Sequence, residues 1–149
     1  MPSMFDPAIH QEFTGRIDRL TPQSQRQWGR MSVQQMVCHL TDAVKGTLGE
    51  TPSSFKPNFL SSRLGHFIIL NVPIPKGKAP TSPQFQVSQP GDWGHDVSTL
   101  KGYLARVVER ARSPDAVWGI HPRFGKLTHQ EWGKLLARHF DHHLRQFSV

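Results

Sequence analysis

The stretch HFDHHLRQF, residues 139–147, places three histidines within five positions. At about 100° per residue, His139 and His143 lie one helical turn apart on the same face of a helix. Two imidazoles at this spacing can reach a single ion, which is why the spacing recurs in metal sites. His142 projects toward the edge of the same arc, about 60° from His139, and is the weaker ligand candidate. The pattern therefore indicates a metal site on the last helix.

A structural interpretation of the pair stays open beside the metal site. Apolar residues share the arc with the two histidines, so both rings would lie at the edge of a core, each bonded to a carbonyl or a buried water. Burying two polar rings without partners costs a few kcal/mol each, which favours a shared ligand. The zinc-protease pattern is excluded, because Phe140 stands where a glutamate must follow the first histidine.

A third ligand is expected from another helix, since helical bundles build metal sites from facing side chains. His39, in SVQQMVCHLTDAV, lies at the edge of an apolar stripe and is the best candidate. Cys38 projects roughly opposite to Met36, which favours a small buried residue over a soft ligand or the nucleophile of a Cys–His pair.

Further candidates for the surroundings of the site are less specific. Asp42 follows His39 by three residues and is a candidate acceptor for its ring N–H, or else an exposed carboxylate. Gln146 is predicted either to contact a metal ligand or to bond across helices. His121 lies in the loop HPRFGK, where it would bond a backbone carbonyl or join the mouth of the site. Asp96 is a candidate acid or base, or a carboxylate that favours the helix dipole.

Catalytic residues are not identified by these patterns. Arg123 and Arg145 are interpreted as solvated surface charges in preference to receptors for an anionic substrate. Three neutral imidazoles would leave a fourth metal position for water or substrate, as in catalytic zinc sites.

Four main helices are predicted, at about 5–20, 32–48, 92–112 and from Thr128 onward. Ser32 with Gln35, and Thr128 with Glu131, fit capping boxes at two of the helix starts. The segment 51–91 is rich in Pro, Ser and Gly, with a short helix at about 61–70 and extended backbone through NVPIPKGKAPTSP. Such a long connection indicates either a functional cover or partial disorder, and the cover is the favoured interpretation. The prediction is an all-α four-helix bundle, a single domain over 1–149, with a long crossover between the second and third main helices.

Composition narrows the class of protein. Hydrophobic residues make up 36% and charged residues 19%, which suits a folded globular chain. The net charge of +7 is scattered, without the basic blocks of a nucleic-acid groove, so specific nucleic-acid binding is not expected. The longest apolar run, FIIL, is too short to cross a bilayer. With a single cysteine and no signal-like segment at the N-terminus, a cytoplasmic location is expected.

Two stretches, WGRMSVQQMVCHL (28–40) and HPRFGKLTHQEWGKLLARHFDHHLRQF (121–147), resemble the DinB-like superfamily of metal-binding four-helix bundles, in a branch of unknown function. The resemblance implies that three histidines, matching His39, His139 and His143, bind a divalent ion such as zinc or nickel. It also implies a small-molecule substrate, because relatives are thiol-dependent transferases and isomerases that use bacillithiol, mycothiol or glutathione. Several relatives form homodimers.

The leading hypothesis is therefore a metal-dependent transferase, with a thiol as one candidate co-substrate, or a hydrolase, built on a three-histidine site with an open coordination position. The alternative is a noncatalytic stress-response or ligand-binding module in which the metal only braces the helices. These hypotheses differ in whether the site has an open position next to a cavity.

Overall fold

The computed structural model of the chain describes residues 2–73, 75–77 and 81–149. These residues form five α-helices, two 3₁₀ turns and one two-stranded hairpin: α1 Pro7–Asp18, α2 Val33–Thr47, a turn at Phe59–Ser61, α3 Arg63–Asn71, a turn at Pro83–Phe85, α4 Trp93–Arg110, β1 Ile120–His121, β2 Gly125–Lys126 and α5 His129–Arg145. The prediction of an all-α chain is confirmed at this level. The extended backbone expected through 71–83 lies partly outside the described residues.

Two of the helix starts follow directly from the sequence. Ser32 accepts from the amide of Gln35, whose side chain returns a bond to the backbone of Ser32, and this fixes the first turn of α2. Thr128 and Glu131 form the same reciprocal pair at the start of α5. Both capping boxes are confirmed. They satisfy amides at the two helix starts that would otherwise lack partners.

The other helix ends differ from the prediction by one or two residues. α1 begins at Pro7 because Asp6 is its cap and accepts from the amide of Ala8. α4 begins at Trp93, since Asp92 caps it in the same way. The predicted boundaries follow the apolar periodicity, which does not mark the polar residue that caps each helix.

The helices pack around one apolar core. α2 lies along α4, α1 contacts both α4 and α5, and α5 also contacts α2 and α3. Fully buried side chains from α2, α4 and α5 meet in its centre, including Met36, Leu40, Leu100, Leu104 and Phe140. This packing brings the face of α2 that carries His39 toward α5. None of the helices among the described residues is long and apolar enough to span a bilayer.

A short hairpin interrupts the otherwise helical chain, although no strand was predicted. Ile120 pairs with Lys126 and His121 with Gly125, which adopts a positive φ of 73°. The residue before the hairpin, Gly119, donates its amide to the carbonyl of Thr47 at 2.8 Å. A Cβ on Gly119 would lie 2.0 Å from the carbonyl oxygen of Gly46, so only glycine permits this approach. The hairpin is thereby held against the end of α2.

The long connection between α2 and α4 packs over the same end of the molecule. Its α3 contacts α5, and its 3₁₀ turn at Pro83–Phe85 contacts α2. His66 of α3 is buried between Glu131 and the carbonyl of Phe124, with its two ring nitrogens 3.0 and 2.8 Å from them. These polar contacts hold the connection against α5 and the hairpin.

Candidate metal centre and adjoining cavity

Three histidines from two helices converge on one point. The Nε2 atom of His39, on α2, lies 2.8 Å from Nε2 of His139 and 3.1 Å from Nε2 of His143, both on α5. His39 and His143 are buried, and His139 is partly buried. The helical phase predicted from the sequence accounts for this placement, since residues four apart on α5 face α2 together. The three rings form a cluster that can hold a metal ion.

Hydrogen bonds on the far side of two rings fix where their protons lie. Nδ1 of His39 lies 2.8 Å from the carbonyl oxygen of Phe85. Nδ1 of His143 lies 2.7 Å from Oε1 of Gln146, with the amide oriented so that its oxygen faces the ring. Oxygen atoms of this kind only accept, so both Nδ1 atoms donate. In the neutral rings, each Nε2 therefore carries a lone pair directed into the cluster.

These lone pairs test whether the cluster fits a metal ion. Two acceptor nitrogens 3.1 Å apart cannot bond to each other, and a proton on His139 can satisfy only one of them at a time. A metal ion accepts lone pairs from all three nitrogens. The nitrogens around a tetrahedral zinc ion lie about 3.3 Å apart, given Zn–N bonds of about 2.0–2.1 Å. The two distances from Nε2 of His39, 2.8 and 3.1 Å, lie within about half an ångström of that spacing, so the three nitrogens fit a metal ion of this size.

Burial keeps the imidazoles in the neutral form that a metal requires. It is the main cause that lowers the pKa of His39. Burial, followed by the neighbouring His143 and His39, holds the pKa of His139 well below its usual range. For His143 burial lowers the pKa to about 3, with His39 adding to the effect. Ionised rings are thus disfavoured at neutral pH, and the lone pairs stay available.

Asp42 does not bond the ring of His39 but fixes the loop that supplies the acceptor for that ring. The prediction that Asp42 accepts the ring N–H of His39 is wrong, and so is its alternative, an exposed carboxylate. Asp42 is buried and accepts from the amides of Val87 and Ser88 at 2.9 and 2.8 Å. Those bonds fix the chain next to Phe85, whose carbonyl is the acceptor for His39. The buried carboxylate thus supplies acceptors for two loop amides that have no partner within a helix.

Two other candidates lie away from the cluster. Asp96 stands in the first turn of α4, where its Oδ2 accepts from the amide of Gly91 and from Gln34, both at 2.9 Å. The role of acid or base predicted for Asp96 is therefore wrong, and the helix-start alternative describes it. Cys38 lies beside Asp96, buried, and burial raises the pKa of its thiol to about 11. Its prediction as a small buried residue fits this position.

Gln146 and His142 lie next to the cluster, as expected from their positions on the arc. Gln146 is buried and bonds His143, which is the first of its two predicted alternatives. The ring of His142 packs against the ring of His143 with centroids 5.1 Å apart and against Trp28 at 6.4 Å. Lys76 of the connection lies over the Trp28 ring at 4.5 Å. His142 therefore lies beside the cluster and lines the adjoining cavity.

His121 reaches the site from the hairpin. Its Nδ1 accepts from the amides of Arg123 and Phe124 at 3.1 and 3.2 Å, and its ring stacks on the Phe124 ring at 4.2 Å. The expected bond to a backbone carbonyl is wrong, because the turn after β1 presents amides to this nitrogen. Burial, with the charge of Arg123, lowers the pKa of His121 to about 3. His121 stays neutral and lines the cavity described next.

A cavity of about 790 Å³ opens beside the cluster. All three histidines line it, together with His121, His142 and Gln146. The long connection supplies most of its apolar wall: Leu60, Ile68, Ile69, Val72, Pro73 and Phe85. This volume is in the range of sites for small organic molecules. The predicted cover thus forms one side of the cavity in the described residues.

Sequence reasoning missed two residues that shape the site. Phe85 supplies both the carbonyl that bonds His39 and a ring that packs at 5.5 Å from the His121 ring. Trp132 also lines the cavity, and no local pattern distinguishes a tryptophan that lines a cavity from one that packs in the core. No local pattern marks Phe85, because its partner is 46 positions away in the chain.

The fold and site together define a predominantly helical protein whose three converging histidines can hold a metal ion. A family model described as "Protein of unknown function (DUF1569)" matches residues 8–149, and the chain belongs to this family. No curated protein and no solved structure matches the chain.

Proposed function

We propose that this protein is a divalent-metal-dependent enzyme of the DinB-like type, a transferase or hydrolase that acts on a small molecule. The observation that carries the proposal is the convergence of three Nε2 atoms in the wall of a cavity of about 790 Å³. Nε2 of His39 lies 2.8 Å from that of His139 and 3.1 Å from that of His143. A metal placed only for stability needs no such cavity. Three protein ligands next to open space are typical of catalytic zinc sites.

Helix packing supports a four-helix bundle of this type. α1, α2, α4 and α5 contact one another around the core, and the connection from α2 to α4 is the long one. The histidines stand on α2 and α5, as the resemblance to the DinB-like superfamily implies. Zinc or nickel is the proposed ion, because three imidazoles suit both.

The chain's own residues would prepare the site for chemistry. His39, His139 and His143 hold the ion, while the carbonyl of Phe85 and the amide of Gln146 keep two of the rings in the correct tautomer. When bound, a divalent ion supplies Lewis-acid chemistry and polarises an oxygen or sulfur atom of a substrate. A substrate packed on the apolar wall would displace water, and this would strengthen electrostatic interactions at the site. A low-molecular-weight thiol is one proposed co-substrate.

A noncatalytic module remains the second proposal, and one observation favours it. The described lining of the cavity includes no aspartate or glutamate that could serve as a general base. If the metal only braces α2 against α5, removing the ion should lower thermal stability while ligand binding in the cavity persists.

Metal analysis tests the first step of the proposal. Untagged protein is loaded with zinc or nickel, dialysed and measured by mass spectrometry beside His39→Ala, His139→Ala and His143→Ala. The control is His95→Ala, which removes an exposed histidine from α4. We expect about one ion per chain in the wild type and control, and loss of the ion in each of the three variants. A wild type that stays empty after loading would refute the proposal.

A further inference from the structure

The polar side chains around the cavity offer hydrogen-bond donors and positive charge. Arg30, Arg123 and Arg138 all line it, and the described lining includes no carboxylate. Among the described residues, neither Arg30 nor Arg138 forms an ion pair. Elsewhere on the protein several arginines are paired, as Arg16 is with Asp141. The lining of the cavity therefore carries more positive than negative charge.

Two buried donors of the lining lack acceptors. The indole N–H of Trp132 is buried and meets no acceptor among the described residues, and the same holds for the Nε–H of Arg138. Trp132 is 2% exposed, so bulk water does not reach most of the side chain. Arg138 is held in place because its Nη2 donates to the carbonyl of Val72 at 2.6 Å. Buried donors without partners are costly, so a ligand in this cavity whose acceptor atoms reached them would be stabilised.

His121 adds a third donor whose direction is fixed by the backbone. Since its Nδ1 accepts from the amides of Arg123 and Phe124, the proton of the neutral ring must lie on Nε2. The imidazole thus contributes an N–H to the lining and has no acceptor atom left to offer. Its ring centroid lies 5.7 Å from that of Trp132. The two rings therefore lie next to each other among the residues that line the cavity.

We propose that the cavity binds an amphipathic organic anion of the carboxylate class. The carboxylate accepts hydrogen bonds from the donors of Trp132, His121 and Arg138, and the apolar body packs on the wall that contains Ile68 and Phe85. Charge-assisted bonds to such donors are stronger than neutral ones, which gives selectivity for an anion over its amide. This inference deepens the proposed function, because it assigns a substrate class to the same site.

The four tryptophans provide a direct test by NMR. Zinc-treated wild-type protein labelled with ¹⁵N is titrated with octanoate, octanamide or octylamine, and the assigned indole N–H signals are followed. We expect octanoate to shift the Trp132 signal downfield in a saturable way and to bind about tenfold more tightly than octanamide. Trp118 is the internal control, because its N–H also lacks a described acceptor but it does not line the cavity.

Arginine variants test the charge separately. Arg138→Gln should weaken octanoate binding about tenfold, whereas Arg112→Gln, on an exposed arginine outside the cavity, should leave it unchanged. Equal binding of octanoate and octanamide, or an unmoved Trp132 signal at saturation, would overturn the inference.

Zinc content measured on the same samples separates the two proposals. Protein that holds zinc but does not respond to octanoate refutes only the anion site. Protein that holds no zinc but shows the Trp132 shift and the Arg138→Gln effect supports the anion site and refutes the metal-dependent enzyme.

Discussion

The buried neutral His121 predicts a specific loss of stability in acid. Its pKa is about 3 in the folded protein, because of burial and the charge of Arg123, against about 6.5 in an unfolded chain. Between these values the unfolded state binds a proton that the folded state does not, so the free energy of unfolding falls as the pH falls below 6.5. Above pH 6.5 the ring of His121 is neutral in both states, so it does not lower the free energy of unfolding there.

The size of the effect follows from the linkage relation. A pH of 5 is 1.5 units below the pKa of the ring in the unfolded chain and still above its pKa in the folded protein. His121 should therefore lower the free energy of unfolding by about 2 kcal/mol between pH 7 and pH 5. His121→Asn removes the titrating ring, while the amide oxygen of Asn can still accept from the backbone amides that His121 now binds. The variant should therefore lose about 2 kcal/mol less than the wild type on acidification.

Urea denaturation followed by tryptophan fluorescence measures this difference on metal-free protein at both pH values. His95→Asn, which removes an exposed histidine, controls for the loss of an imidazole as such. Burial also lowers the pKa of His39, His139 and His143, and these rings reduce stability in acid in both proteins, so only the difference between the wild type and His121→Asn reports on His121. An equal loss of stability in the wild type and His121→Asn would refute the assignment of His121 as a buried neutral ring that accepts from the turn.

Two further predictions concern single contacts. Gln146→Leu leaves the Nδ1–H of His143 without its acceptor and should weaken zinc binding about 10- to 100-fold in a competition titration. Gln146→Glu keeps an acceptor oxygen and should retain the zinc affinity. Unchanged affinity in the leucine variant would contradict the proposed orienting role of Gln146. Gly119→Ala should destabilise the protein by about 3 kcal/mol in urea denaturation, because its Cβ would overlap the carbonyl oxygen of Gly46. Gly102→Ala, with open space around it on α4, should stabilise the protein by about 0.5–1 kcal/mol. Equal denaturation midpoints for the two variants would contradict this account.

Local patterns in the sequence were sufficient to place the helices and the cluster. The capping boxes at Ser32 and Thr128 depend on residues three positions apart, so they can be read without knowledge of the fold. That His139 and His143 lie on the same face of α5 follows from the helical period alone. That His39 meets them needed one further assumption, namely that the apolar stripes of two helices face each other across a core.

Contacts between distant irregular segments could not be predicted in this way. Both roles predicted for Asp42 are wrong, because its partners Val87 and Ser88 lie 45 and 46 residues further along the chain in a loop. The carbonyl of Phe85 is equally invisible, because backbone acceptors carry no residue signature. The hairpin escaped prediction because its strands are two residues long and show no alternation that a period of two could reveal.

The distance along the chain between the histidines has a consequence for protein turnover. His39 and His139 are 100 residues apart in sequence but 2.8 Å apart in space, so an ion held between them closes a long loop as a reversible crosslink. Global unfolding separates α2 from α5 and must break at least one of those bonds. Proteolysis that proceeds through the unfolded chain would then slow as free zinc rises and accelerate when a chelator is present. The lifetime of the protein would in this way follow the supply of metal.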